Sequence, residues 1–165
     1  VEGVSRELKV QTEDLPERIA QLSEKLKAAE KEIETLRKQQ LAARASEFVS
    51  AAKDINGFKV IALTLPEGTT GGDLRTVATD LRNRLREEEA VIVLGAEDKG
   101  KFPFIAAATD KAVGRGVKSG DIVKEFGQYV DGRGGGKPDM AQGSGSTAAG
   151  AERGFAAVKD MLESL

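Results

Sequence analysis

The sequence predicts a mixed chain in two parts. Residues 1–56 read as a coiled-coil-like helical arm, and residues 57–165 as a small globular α+β or α/β domain. Three observations carry this prediction. Apolar residues recur in alternating steps of four and three from Leu15 to Leu36. The continuous apolar run from Ala90 to Gly95 has the composition of a strand buried on both faces. From residue 58 onward, strand-like runs alternate with helix-like ones.

The elements follow in order. Residues 1–9 form a short charged stretch with Val4 and Leu8 spaced like a helix face. Residues 12–16 read as a break, where Thr12 or Asp14 suits a helix cap and Pro16 suits a first turn. The helical pattern then runs from Leu15 to about residue 52. Ile19, Leu26 and Ile33 hold one core position of the heptad, and Leu15, Leu22, Ala29 and Leu36 hold the other. The remaining positions, mostly Glu, Lys, Gln and Arg, make a solvated face. Gln40 interrupts the seam, while Leu41, Phe48 and Val49 continue an apolar face more loosely. Such a stripe needs burial. It has three candidate partners: the short first segment, the helix around residues 42–52, or a second copy of the chain.

Asn56-Gly57 marks the boundary, with glycine as the helix stop. Residues 58–65 read as a strand ended by Pro66-Glu67-Gly68. Residues 73–88 read as a helix with Leu74, Val77, Ala78, Leu81 and Leu85 on one face. Arg82, Arg84 and Arg86 fall on its outer side beside Glu87-Glu88-Glu89, in ordinary surface pairing. After the strand at 90–95, the turn at 97–100 leads to a third strand over 102–109, where Phe102 reads either as core or as a residue able to stack on a base. Ser119 reads as the cap of a helix reaching about Val130, with Ile122, Val123 and Phe126 facing inward. Residues 147–165 form the last helix, with Phe155, Val158 and Leu162 as its inner stripe.

Composition narrows the chemistry. The chain has no cysteine and no histidine, which excludes a Cys/His zinc site, a Cys–His or Ser–His nucleophile pair, and a disulfide framework. No stretch approaches the roughly 20 apolar residues of a membrane span, and no signal-peptide pattern opens the chain. The expectation is a soluble cytoplasmic protein without membrane partners. Its start at Val1 rather than Met is what a piece of a longer protein shows. Lys+Arg 25 against Asp+Glu 27 gives a net charge of −2, so any contact with RNA rests on a local patch.

The densest signal is a glycine-rich loop over residues 132–146. Glycines let a backbone approach a phosphate and turn its N–H groups toward it. Lys137 adds a cation there, and the start of the last helix after Ser146-Thr147 offers a second anion site. Two common nucleotide fingerprints do not fit. A P-loop needs Ser or Thr after its Gly-Lys pair, but Pro138 follows Lys137. A dinucleotide loop joins the first strand to the first helix, and this segment comes late. Asp139 reads either as a functional acid or as a turn residue, and Gln142 either as an RNA contact or as a brace. Met140 reads as core, and Tyr129 as a residue able to stack on a base. The interval 111–137 holds Lys111, Arg115, Lys118, Lys124, Arg133 and Lys137 against Asp121, Glu125 and Asp131, a local basic excess.

The run Gly134-Gly135-Gly136-Lys137-Pro138-Asp139-Met140-Ala141-Gln142-Gly143-Ser144-Gly145 resembles the glycine-rich signature of DHHA1 domains at the C-terminus of alanyl-tRNA synthetases. The heptad helix opening at Leu15-Pro16-Glu17-Arg18, the strand 91–95 and the segment 116–121 resemble the helical and globular parts of that region. The resemblance implies a non-catalytic piece of an ATP-dependent alanine–tRNA ligase. This piece would dock the outer corner of alanine tRNA and help couple aminoacylation with editing of mischarged tRNA. ATP and zinc would belong to other domains of the parent, with which this part would cooperate, and the chain itself would need no cofactor. On this reading Arg115, Lys118, Arg133, Lys137 and Gln142 are the tRNA-binding candidates. Gly134, Gly135, Gly136, Asp139, Gly143 and Gly145 shape the loop. The alternative is a dimerisation module, a homodimer packed through Leu15, Ile19, Leu22, Leu26, Ile33 and Leu36. A third reading is an accessory domain of a DHH-type phosphoesterase, whose catalytic Asp-His-His cluster cannot exist in a chain without histidine.

Overall fold

The computed structural model describes residues 15–165. The Val4–Leu8 face, the caps at Thr12 or Asp14 and the side chain of Leu15 lie outside the described residues. The chain divides into two compact units, Val1–Gln40 and Leu41–Leu165. The first is described by helix α1, Leu15–Ser50, whose last turns from Leu41 belong to the second unit. Along the first unit the heptad residues are exposed: Ile19 54%, Leu22 64%, Leu26 60%, Ile33 53% and Leu36 52%.

The second unit carries β1 (Lys53–Ile55), β2 (Phe58–Leu65), α2 (Gly71–Arg84), β3 (Ala90–Ala96), β4 (Phe102–Ala108), α3 (Asp110–Gly114), α4 (Ser119–Tyr129), β5 (Arg133–Gly136), β6 (Met140–Gly145) and α5 (Ala151–Glu163). Its six strands form one sheet in the order β1-β2-β3-β4-β6-β5. Only β2 and β3 run parallel, joined across α2, and every other neighbouring pair is antiparallel. The mixed α/β expectation is met.

The sheet has a core on each face. One holds Phe58, Val60, Val91, Val93, Phe104 and Ala106 under α4 and α5. The other holds Ile61, Ile92, Leu94, Ile105 and Ala107 under α2 and the last turns of α1. Strand alternation sorts these residues, since neighbours in a strand point to opposite faces. β3 is buried along its whole length, as its unbroken apolar run requires. On the α4 face, Phe126 is the hub of an aromatic cluster. Its ring centroid lies 4.9 Å from that of Phe104, 5.0 Å from Phe155 and 6.1 Å from Phe102.

Several local readings change. Leu41, Ala45 and Phe48, at helical spacing, are buried in the α2-side core, so this stripe belongs to the domain and not to the arm. Asn56-Gly57 is not a helix stop. Both residues have positive φ, 54° and 84°, and Ile55 pairs with Phe58. That is the geometry of a two-residue hairpin turn, and it creates β1, a strand too short to announce itself. The helix read over 73–88 begins earlier and ends sooner. Thr70 caps it, and its hydroxyl and the Asp73 carboxylate close a reciprocal capping box. Ser119 is not a cap: its side chain is fully buried and Oγ has no partner among the described residues. Instead its N–H donates to Pro138 O at 3.0 Å, fastening α4 to the glycine segment. The last helix starts at Ala151, because Thr147 Oγ1 accepts the Ala149 N–H in a turn that precedes it.

Removing the hub ring tests this core. Phe126→Ala leaves three aromatic neighbours facing a cavity, and it should lower unfolding free energy by about 3–5 kcal/mol. A denaturant midpoint within error of the parent would show that the cluster does not hold α4 and α5 to the sheet.

Candidate nucleic-acid interface

The glycine-rich segment is a β-hairpin, not a loop. β5 and β6 pair in register from Arg133↔Ser144 to Gly136↔Ala141, and the turn closes with Lys137 N–H donating to Met140 O at 2.9 Å. Three main-chain bonds fix the turn from three sides: this one, Ala108 N–H to Asp139 O at 2.9 Å, and Ser119 N–H to Pro138 O. Strand geometry holds the hairpin's amides in the plane of the sheet, aimed at neighbouring strands or, on the outer edge of β5, outward in that plane. They do not converge on a phosphate as a glycine loop would allow. The loop amides ahead of the last helix are committed as well, because Ser146 and Thr147 N–H both donate to Val130 O.

What the glycines do is seen from the atoms a side chain would meet. A Cβ on Gly134 would lie 2.3 Å from Val123 Cγ1 of α4, and one on Gly143 would lie 2.6 Å from Phe104 Cζ and 2.7 Å from Arg133 O. On Gly145 it would lie 2.4 Å from Val130 O. These positions are bare because a helix and a strand lie directly against them. Gly135 differs. Nothing stands within 4 Å of its Cβ position, and its φ is not in the left-handed region. Neither packing nor backbone conformation calls for glycine there.

Gly135 forms part of the floor of a cleft of about 510 Å³ between the hairpin and α2. Arg75, Thr79 and Arg82 wall it from α2, spaced so that they share one helix face. Gly136, Lys137, Asp139, Met140, Ala141 and Gln142 complete it from the hairpin. Gln142 braces the junction, its Nε2 donating to Gly71 O in the first turn of α2 at 3.0 Å. Arg82 Nη1 reaches Asp139 Oδ2 across the cleft at 3.4 Å. The ammonium of Lys137 and the guanidinium of Arg75 pair with no carboxylate among the described residues. A solvent-open floor without side chains, flanked by two uncommitted cations, is suited to an extended polyanion.

The sequence-derived candidates divide accordingly. Lys137, Gln142, Gly135, Gly136 and Asp139 meet at the cleft. Arg133 is exposed at the far end of β5, on the same side as Gly135 by strand alternation. Lys118 is exposed at the start of α4, beside a smaller hollow lined by Met161 and Leu165. Arg115 stands apart. Its guanidinium lies 4.1 Å over the Phe58 ring and donates to Glu89 Oε2 at 2.6 Å and to Asn56 O at 3.1 Å, pinning the β1–β2 turn. Met140 is only partly buried, packed against the α2-side core at the cleft wall. Phe102 and Phe104 are core, and Tyr129 is half-buried. Arg75 has no reading from sequence, and Arg82, read as a surface residue paired near Glu87-Glu88-Glu89, instead pairs with Asp139 across the cleft. Their spacing with Thr79 was visible, but which helix face meets the hairpin depends on β6 lying beside β4, a non-local fact. Arg84 and Arg86 do pair on the surface, with Asp80 and Glu87.

A family model described as the DHHA1 domain matches residues 57–164. The chain belongs to the DHHA1 domain family. Its DHHA1 domain and arm together are 50% identical to the alanine–tRNA ligase of Corynebacterium glutamicum (strain R) over 164 residues, 99% of this chain and 18% of that protein. Identity to the alanine–tRNA ligase of Corynebacterium jeikeium (strain K411) is 54% over 162 residues, 98% of this chain and 18% of that one. The chain therefore spans under a fifth of the length of these relatives. Among solved structures, the C-Ala domain from Aquifex aeolicus alanyl-tRNA synthetase matches with a TM-score of 0.62 at 22% identity, covering 68% of this chain and 97% of that one. It shares the fold.

The DHHA1 domain thus carries two kinds of glycine, and substitution separates them. Gly143→Ala should destabilise by roughly 1–3 kcal/mol through overpacking against Phe104. Gly135→Ala should leave stability unchanged or raise it by up to about 1 kcal/mol, since a strand interior favours a side chain. Equal losses on thermal unfolding would show that Gly135 is structural after all.

Proposed function

We propose that this chain is the tRNA-binding part of an alanine–tRNA ligase, a non-catalytic module that docks the outer corner of the tRNA and so helps couple aminoacylation with editing. The observation that carries the reading is the cleft: Arg75 and Lys137, both free of carboxylate partners among the described residues, line it together with the bare strand at Gly135. The close likeness to alanine–tRNA ligases along nearly the whole chain supports tRNA as the polyanion. With a net charge of −2, bulk attraction is not available, so binding depends on this local pair and on Arg133 and Lys118 nearby in the same basic interval. Such contacts position an RNA by its backbone and shape without reading bases. The module's contribution to the ligase is then to hold the substrate in place, not to supply chemistry.

The test is a salt titration of binding to alanine tRNA, with an unrelated tRNA and a plain RNA duplex alongside. The parent chain should bind both tRNAs better than the duplex, with affinity falling as salt rises. Lys137→Ala and Arg75→Ala should each weaken tRNA binding and reduce the slope of log K against log salt by about one. Unchanged affinity and slope in both variants would remove the cleft from the interface.

A second role is favoured by a separate observation, the exposure of the heptad residues Ile19, Leu22, Leu26, Ile33 and Leu36. A regular 3–4 seam left in water is suited to a matching helix, and a second copy of the chain supplies one. Sedimentation should find a dimer that dissociates when Leu22 and Leu26 are both replaced by Gln. A chain that sediments as a monomer at every concentration would rule this out.

A further inference from the structure

Three cations line the cleft, and they are not equivalent. Arg75 and Lys137 have no carboxylate partner among the described residues, whereas Arg82 is held by Asp139. The turn itself does not need that carboxylate. The main chain of Asp139 accepts the Ala108 N–H, and the turn closes through Lys137 N–H and Met140 O. The Asp139 side chain bonds to Arg82 and to no turn amide among the described residues. The pair is also loose. Its N···O distance is 3.4 Å, and the side chains keep 26% and 46% of their exposure. By contrast, Arg115 and Glu89 meet at 2.6 Å. A long, solvent-reached pair of this kind exchanges partners at little cost. Carboxylate and phosphate oxygens offer a guanidinium the same kind of acceptor.

We propose that Asp139 is an internal competitor in the cleft: its carboxylate competes with RNA phosphate for Arg82, and an RNA must displace it to engage the whole cleft. The inference rests on the tRNA-binding reading above. An RNA that reaches Arg82 alone exchanges one anion for another and gains little. An RNA that also reaches Arg75 and Lys137 offsets the displacement. Asp139 therefore lowers affinity for every polyanion that engages Arg82, by the cost of breaking this one pair. Displacement also leaves a free carboxylate that recruits a cation, so the contact with Arg82 adds nothing to the salt slope until Asp139 is neutralised.

The test uses Asp139→Asn, which keeps the side chain's shape, in the same titrations with tRNA and RNA duplex. The variant should bind tRNA about two- to fivefold more tightly. The duplex should gain no more than that, and the variant's salt slope for tRNA should steepen by about one. In an Arg82→Gln background the same substitution should change neither affinity nor slope. Weaker tRNA binding by Asp139→Asn would overturn the proposal and make the carboxylate a positioning group for Arg82. An undiminished gain in the Arg82→Gln background would overturn it too, reducing the effect to general charge. If neither the parent nor the variant binds tRNA, the tRNA reading falls together with this inference. Tight parent binding that is unaltered in the variant sinks this inference alone.

Discussion

The DHHA1 domain depends on direct contact between a helix and bare strand backbone. α4 lies on β5 so closely that Val123 occupies the space where Gly134 would carry a side chain. Phe104 does the same beneath Gly143 in the neighbouring strand, and Val130 beneath Gly145. This proximity lets the first turn of α4 reach the hairpin turn, where Ser119 N–H meets Pro138 O. The turn is held from the other side by β4, through Ala108. Lys137 and Asp139 therefore stand at fixed positions at the end of a short hairpin, an element that is marginal by itself. Among the described residues no helix covers the opposite face of the same strands, because α2 packs over β3 and β4. One arrangement thus creates both the rigid support and the open floor.

Much of this was legible in sequence. The apolar run at 90–95, the helix stripes at Leu74–Leu81 and Phe155–Leu162 and the core reading of Phe102 all reflect short-range pattern, which burial then honours. The failures have a common cause. Glycine is ambiguous in sequence, because flexibility, positive φ and tight packing all call for it. At Gly57 the reason is a hairpin turn, at Gly134 a helix, and at Gly135 neither. Only the three-dimensional neighbours distinguish these cases. The same holds for arginine. Arg82 and Arg84 are two residues apart on one helix, yet one crosses to the hairpin and the other pairs with Asp80 one turn back. Arg115, in a basic interval, is consumed by Phe58 and Glu89 from distant parts of the chain.

The helix α1 shows a different limit. Its heptad residues and the looser apolar face after Gln40 lie on one unbroken helix, but their surroundings differ. Leu41, Ala45 and Phe48 serve the sheet's core, while Ile19 to Leu36 remain in water. Periodicity identifies an apolar stripe without naming what covers it. Gln40, which interrupts the seam, is the last residue of the first compact unit.

β5 pairs with β6 alone and closes the sheet on that side. A glycine strand at a sheet margin is a hazard, since it offers a flat backbone ladder on which another extended chain can assemble. The protein fences this margin with charge and with a residue that cannot extend the ladder: Arg133 at one end, and Lys137 followed by Pro138 at the other. The exposed basic residues of the hairpin accordingly also protect against self-association. Neutralising them in concert would expose a sticky border on the protein, and the outcome would be seen as poor solubility before it was seen as lost recognition.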